Sequence, residues 1–162
     1  MFVHYRKFFR MDLDIIDKNL LKYLQRDAKQ TNKELSSKLD LSVTAVYERI
    51  KKLEREGVIR KYVALIDTEK VNHGFIVFCQ IKLEKHANDA IGYFETEVMQ
   101  LEEVLECFHV SGDYDYLLKV VVKDMPHFRT FVVTKLTSLQ YVGSTQSSFT
   151  ISEVKNSTEI IL

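Results

Sequence analysis

Residues 31–57 read TNKELSSKLDLSVTAVYERIKKLEREG. Within this stretch Thr44, Tyr47, Glu48, Arg49, Lys51, Lys52 and Arg55 stand off an apolar stripe of Val43, Val46, Ile50 and Leu53. Side chains of these types at the start of a helix reach the donor and acceptor edges of base pairs, and the cations that follow neutralise phosphates. Thr44, Tyr47 and Glu48 are therefore expected to read bases. Arg49, Lys51, Lys52 and Arg55 are expected to contact phosphate, which gives affinity and salt dependence but little specificity. Ser42 is mainly a helix cap whose hydroxyl or N–H is also open to phosphate, and Lys33 is placed to touch the same backbone. The alternative is a solvated charged face, because mixtures of Lys, Glu and Arg are common on exposed helices.

A second group is Ser111-Gly112-Asp113-Tyr114-Asp115-Tyr116. Glycine allows a backbone conformation closed to other residues. A carboxylate there can hold an ammonium group, and freed backbone N–H groups can hold a carboxylate. Together they suit a free amino acid. Thr145 and Ser147 share one face of a later strand and offer hydroxyls. Ordinary turn chemistry also explains Gly and Asp here and is favoured on spacing alone. Cys107 and His109 share a strand face but lack a third ligand at convincing spacing for zinc. With no phosphate-binding glycine loop or other catalytic motif, catalysis is unsupported and no cofactor is expected.

The elements that must hold these residues are legible. A helix is expected over Leu13–Asp27, with Ile15, Ile16, Leu20, Leu21 and Leu24 at helical spacing. Thr31 and Glu34 form a capping box for a second helix. Asp40 and Leu41 make a tight turn, and Ser42 caps a third helix that ends at Gly57. This is a helix-turn-helix. Val58 to Ile66 suggests a short extended segment leading to a linker over residues 68–74.

The rest reads β-α-β-β-α-β: strands near 75–83, 105–111, 116–123 and 142–154, and helices near 88–101 and after Asp124, with Pro126 harmless in the first turn. That is the ferredoxin-like order, so the fold class is α+β. The expected organisation is an extension over 1–11, a helix-turn-helix domain over 12–67, the linker, and a ferredoxin-like domain over 75–162. The opening MFVHYRKFFR lacks the apolar centre of a signal peptide, and Met11 suggests an upstream-start extension or a basic arm.

Charge divides the same way. Residues 1–62 hold 15 Lys and Arg against 9 Asp and Glu, a net of +6; residues 63–162 hold 8 against 14, a net of −6. Only the front half suits a polyanion. The strands carry apolar residues on both faces, and two helices cover only one. A second copy of the sheet is the simplest cover, giving a two-fold dimer whose paired helices read symmetric half-sites. The two cysteines fit buried thiols in a reducing cytoplasm. No apolar run approaches the roughly 20 residues of a membrane span.

Several stretches together resemble one family. They are Leu13-Asp14-x-x-Asp17-x-x-Leu20-Leu21, Thr31-Asn32-x-Glu34-Leu35-Ser36, Leu41-Ser42, Arg49, Leu53-Glu54 and Gly57-Val58-Ile59, followed by Leu101-Glu102-Glu103-Val104, Glu106-Cys107, Val110 through Lys119, and Glu153-Val154-Lys155. The chain resembles the Lrp/AsnC, or feast/famine, transcriptional regulators from residue 12 to about 160. The resemblance implies a winged or plain helix-turn-helix joined to a ligand-sensing domain. It implies dimers, often assembled into octamers, acting on double-stranded DNA at the nucleoid of a bacterial or archaeal cytoplasm. It also implies an effector, leucine or another amino acid, bound between dimers. By motif match Gly112, Asp113 and Asp115 line that site, Thr145 and Ser147 face it, and Met125 and Phe149 fall at effector-response positions. Two departures stand out. Gln140-Tyr141 replaces a common Pro-Gly, and Ser148-Phe149-Thr150 replaces a more aliphatic run. An architectural DNA-compacting protein and an amino-acid-metabolising enzyme or regulatory subunit are the competing readings.

Overall fold

The computed structural model describes residues 12–85 and 87–162. The expected N-terminal extension lies outside the described residues. The chain forms two compact units, one from residues up to Ala64 together with Lys155–Leu162, the other from Leu65–Val154.

The first unit contains α1 (Ile15–Arg26), α2 (Asn32–Leu39) and α3 (Val43–Arg55). Each start is set by a side chain that satisfies an orphan N–H. The Asp14 carboxylate accepts from the Asp17 N–H at 2.7 Å. Thr31 and Glu34 form the reciprocal capping box, and the Ser42 hydroxyl accepts from the Ala45 N–H at 3.1 Å. Asp40 (φ 53°) and Gly57 (φ 71°) take left-handed conformations that end α2 and α3. Leu20, Leu35, Val46 and Leu53 are completely buried where the helices meet. Val43 departs from the expected stripe: it is 47% exposed, because the stripe enters the core only one turn later, at Val46.

Residues 58–66 form no strand, and Tyr62, Val63, Leu65 and Ile66 are exposed. β-forming residues need a partner edge, and among the described residues of this unit none is offered. No wing strands are therefore seen there. Residues 155–162 belong with the helices rather than the sheet. The Gln25 side chain donates to the Ile160 carbonyl at 3.1 Å and accepts from the Ile160 N–H at 2.7 Å. Arg26 pairs with Glu159 at 3.0 Å.

The second unit follows the expected order: β1 (Phe75–Leu83), α4 (Asn88–Val98), β2 (Val104–His109), β3 (Tyr116–Val122), α5 (Met125–Thr134), a 3-10 turn at Leu136–Ser138, and β4 (Val142–Phe149). The unit starts at Leu65, so the expected linker lies inside it, as a turn closed by the His73 N–H on the Thr68 carbonyl. The strands pair antiparallel in the order β2-β3-β1-β4. β4 stops at Phe149 rather than Val154. Its partner β1 begins at Phe75, and after the Thr150 N–H donates to Ile76 the ladder has no further partner.

Val77, Cys79, Ile81, Leu83, Tyr116, Leu118, Val120 and Val122 form the helix-covered face and pack on Phe94, Val98, Phe128, Phe131 and Leu136. The register puts Ile76, Phe78, Gln80, Leu117, Lys119, Val121, Phe108 and Gln146 on the opposite face, where Phe78 and Phe108 are exposed.

Candidate nucleic-acid and effector sites

Thr44, Tyr47, Glu48, Lys51, Lys52 and Arg55 recur at three- and four-residue intervals, so they share the outward face of α3, and all six are exposed. The helix is about 20 Å long at 1.5 Å per residue, enough to lie along a major groove about 12 Å wide. Lys33 is exposed in the first turn of α2. The Ser42 hydroxyl is occupied by its capping bond, as expected of a cap. Lys52 makes no ion pair among the described residues. Arg55 lies 3.5 Å from Glu56, both in open solvent.

Arg49 differs from its neighbours. Its guanidinium donates to Asp14 at 2.7 Å and to Asp17 at 2.6 Å, and the Asp17 side chain is only 2% exposed. The residue expected on phosphate instead ties α3 to the start of α1. The Asp17 backbone N–H, then the Arg49 guanidinium, hold the Asp14 carboxyl below its ordinary value. Asp14 and then Asp17 raise that of Arg49. The spacing of α3 alone gives no sign of this, because the two carboxylates come from α1.

The residues expected at the effector site are spread over the second unit. Gly112 has φ 120°, a backbone strained for any residue with a Cβ. Next to it Ser111, Asp113, Tyr114, Val110, Gln80 and Leu117 line a shallow cavity of about 400 Å³ on the open face. The Tyr114 hydroxyl donates to Gln146 at 2.5 Å. Asp115 braces the loop: its carboxylate accepts from the Leu83 N–H at 2.8 Å, and its own backbone bonds Ile81 and Val110.

Thr145 and Ser147 lie on the helix-covered face, opposite Ile81 and Cys79, and Ser147 contacts the Cys79 thiol at 3.6 Å. Phe149 packs on Phe75 and Phe128, and Met125 is half-exposed at the start of α5. The Asp115 anchor at Leu83 and the Phe149 partner Val77 are six β1 residues apart, about 20 Å. A single amino acid cannot touch both ends within one copy. Gln80 and Leu117, which line the cavity, and Gln146, which accepts from Tyr114, were not expected there, since only the strand register brings them beside the turn.

Cys107 and His109 do not make a thiol–base pair. Of the two cysteines expected to be buried, Cys79 is buried and Cys107 is exposed at β2, whose outer edge has no partner strand among the described residues. Partial desolvation and then the Glu95 carboxylate push the Cys107 thiol up to about 11, which suppresses the thiolate. His109 stacks on Tyr116 at 4.7 Å. Among the described residues no cluster of His, Cys, Asp and Glu is fit to hold a metal ion.

Residues 13–60 match the model of a winged helix-turn-helix DNA-binding domain, and residues 76–160 match that of the Lrp/AsnC ligand binding domain. The chain belongs to the Lrp/AsnC family. It is 41% identical to the leucine-responsive regulatory protein of Escherichia coli over 151 residues, which cover 93% of this chain and 92% of that protein. A Neisseria meningitidis transcriptional regulator solved as its L-Met complex superposes with a TM-score of 0.88 at 38% identity, over 92% of this chain and 96% of the other. An AsnC family transcriptional regulator from Agrobacterium tumefaciens gives 0.87 at 35% identity, over 91% and 96%. This Lrp/AsnC chain is thus a transcriptional regulator with a helix-turn-helix DNA-binding domain and a ligand-binding domain, and not an enzyme. Family membership confirms the α+β class expected from the strand and helix order.

Proposed function

We propose that this regulator binds symmetric duplex sites as a homodimer, one α3 per half-site, and that a small amino acid shifts its assembly or DNA affinity. The exposed face of α3 carries the first part. Thr44, Tyr47 and Glu48 meet base edges; Lys33, Lys51, Lys52 and Arg55 meet phosphates, with Ser42 contributing its backbone. Arg49 leaves that set, because two carboxylates already hold it. The exposed apolar side chains on the open face of the sheet support pairing with a second copy, and family resemblance supports octamers built from such dimers. The working place is the bacterial or archaeal nucleoid; no described helix is long and apolar enough to cross a membrane.

The effector is leucine, methionine or a related amino acid. Backbone N–H groups around Gly112 hold its carboxylate and Asp113 its ammonium, while Asp115 keeps the loop in shape. Thr145 and Ser147 lie on the face opposite the cavity and Phe149 lies far along β1 from it, which supports a reading in which Met125, Thr145, Ser147 and Phe149 act on the response from another copy. The L-Met complex of the Neisseria relative supports this class of ligand. Effector binding that favours one assembly state shifts the population toward it.

Titrating the protein calorimetrically with each of the twenty amino acids, with sedimentation as a second readout, tests the sensing half. Heat and a change in particle size for at least one amino acid are expected. Silence across the panel, with salt-dependent DNA binding intact, refutes sensing and leaves an architectural role.

A further inference from the structure

Lys51 sits mid-way along the outward face of α3, and it is not free. Its Nζ donates to Glu54 Oε2 at 2.8 Å and lies 5.8 Å from the centre of the Tyr47 ring. The other Glu54 oxygen accepts the Tyr62 hydroxyl at 3.0 Å. Tyr62 comes from the irregular segment that leaves α3. One carboxylate thus joins a DNA-facing cation to the chain leading out of the helix-turn-helix.

This arrangement bears on binding. A lysine gains from phosphate largely by releasing a condensed counterion. A lysine already neutralised by a carboxylate must give up that partner first, and the carboxylate then faces the phosphate with like charge. The Tyr62 hydroxyl fixes the Glu54 side chain in the rotamer that reaches Lys51. The Lys51 and Tyr62 contacts also hold the Glu54 carboxyl below its ordinary value, so the brake is charged at neutral pH.

We infer that Glu54, positioned by Tyr62, is a built-in brake on DNA affinity that withholds Lys51 from the phosphate backbone. This rests on the proposed phosphate contact of Lys51. Any movement that draws Tyr62 away loosens the brake, which gives the segment after α3 a direct handle on the recognition surface.

The test uses the full chain and a labelled random-sequence duplex long enough for two half-sites, titrated at salt concentrations from about 50 to about 200 mM. Glu54→Gln is expected to tighten binding several-fold and to steepen the slope of log K against log salt by about one per engaged subunit. Tyr62→Phe should move both the same way by less. Lys51→Ala alone should change the parent slope little, because the lysine is already withheld, and Lys51→Ala added to Glu54→Gln should remove the steepening and return the slope to that of the parent. The inference is overturned if Glu54→Gln leaves the slope as it is, flattens it, or steepens it equally without Lys51. If Lys51→Ala alone flattens the parent slope by about one per subunit, Lys51 already meets phosphate and the brake is overturned; if it fails to flatten the slope even beside Glu54→Gln, the proposed phosphate contact itself fails. Melting curves confirm that each variant is folded, and Tyr62→Phe keeps the test open should Glu54→Gln not fold.

Discussion

The two candidate sites are built in opposite ways. On α3, six residues from Thr44 to Arg55 share one exposed face because they share one helix, and nothing distant is needed to align them. In the second unit the candidate residues come from a turn, a helix and an edge strand. The turn brings Asp113, and the register Gln80, to the open face, while the register sends Thr145 and Ser147 to the covered one. A site on one helix is a local property of the chain. A site on a sheet depends on how the strands pair.

The largest expected effect tests whether the units are independent. Leu53→Ala removes a fully buried side chain of the small three-helix core and should cost about 2–5 kcal/mol. Calorimetry should show the first unit melting earlier with the sheet unit unchanged, and DNA binding lost. A single transition shifting as a whole would break the comparison.

Arg49→Ala comes next. It strands the buried Asp17 carboxylate, and with Arg49 partly exposed the expected cost is about 2–3 kcal/mol. At a temperature where the variant stays folded, its salt slope should match the parent. A slope lower by about one per subunit would return Arg49 to the phosphate contacts.

In the sheet unit, Asp115→Ala should lose about 1–2 kcal/mol by leaving the Leu83 N–H without its acceptor. Asp113→Ala should stay within about 0.5 kcal/mol in thermal melts and still abolish amino-acid heat. Equal loss of stability in both would make the loop a scaffold rather than a site.

The smallest effect is acid sensitivity of the first unit. Asp14 and Glu34 are held below their ordinary values, first by the backbone N–H groups of Asp17 and Thr31. A lowered folded value means that their contribution is complete above the unfolded values near pH 4 and drains away as pH falls through the folded ones. Circular dichroism under acid titration should show Asp14→Asn with Glu34→Gln less stable at neutral pH and less changed by acid.

Much of this was legible in the sequence. The capping signals at Thr31, Glu34, Ser42 and Asp124 were read correctly because they act over three residues, and β1 was placed to the residue. The β-α-β-β-α-β order followed from alternating periodicities. What escaped was non-local. The end of β4 is decided by where β1 begins, and the fate of Arg49 by carboxylates 35 and 32 residues away. Val58 to Ile66 looked like a strand because side-chain type records preference, while pairing needs a neighbour.

The clasp of Gln25 and Arg26 on Ile160 and Glu159 joins residues 135 and 133 positions apart. During synthesis the three helices emerge before the sheet, while the segment that completes their unit is translated after it. At roughly 5–20 residues per second, the nascent helices wait on the order of ten seconds for it. The part of the molecule that reads DNA is finished only after the ribosome has delivered the entire sheet.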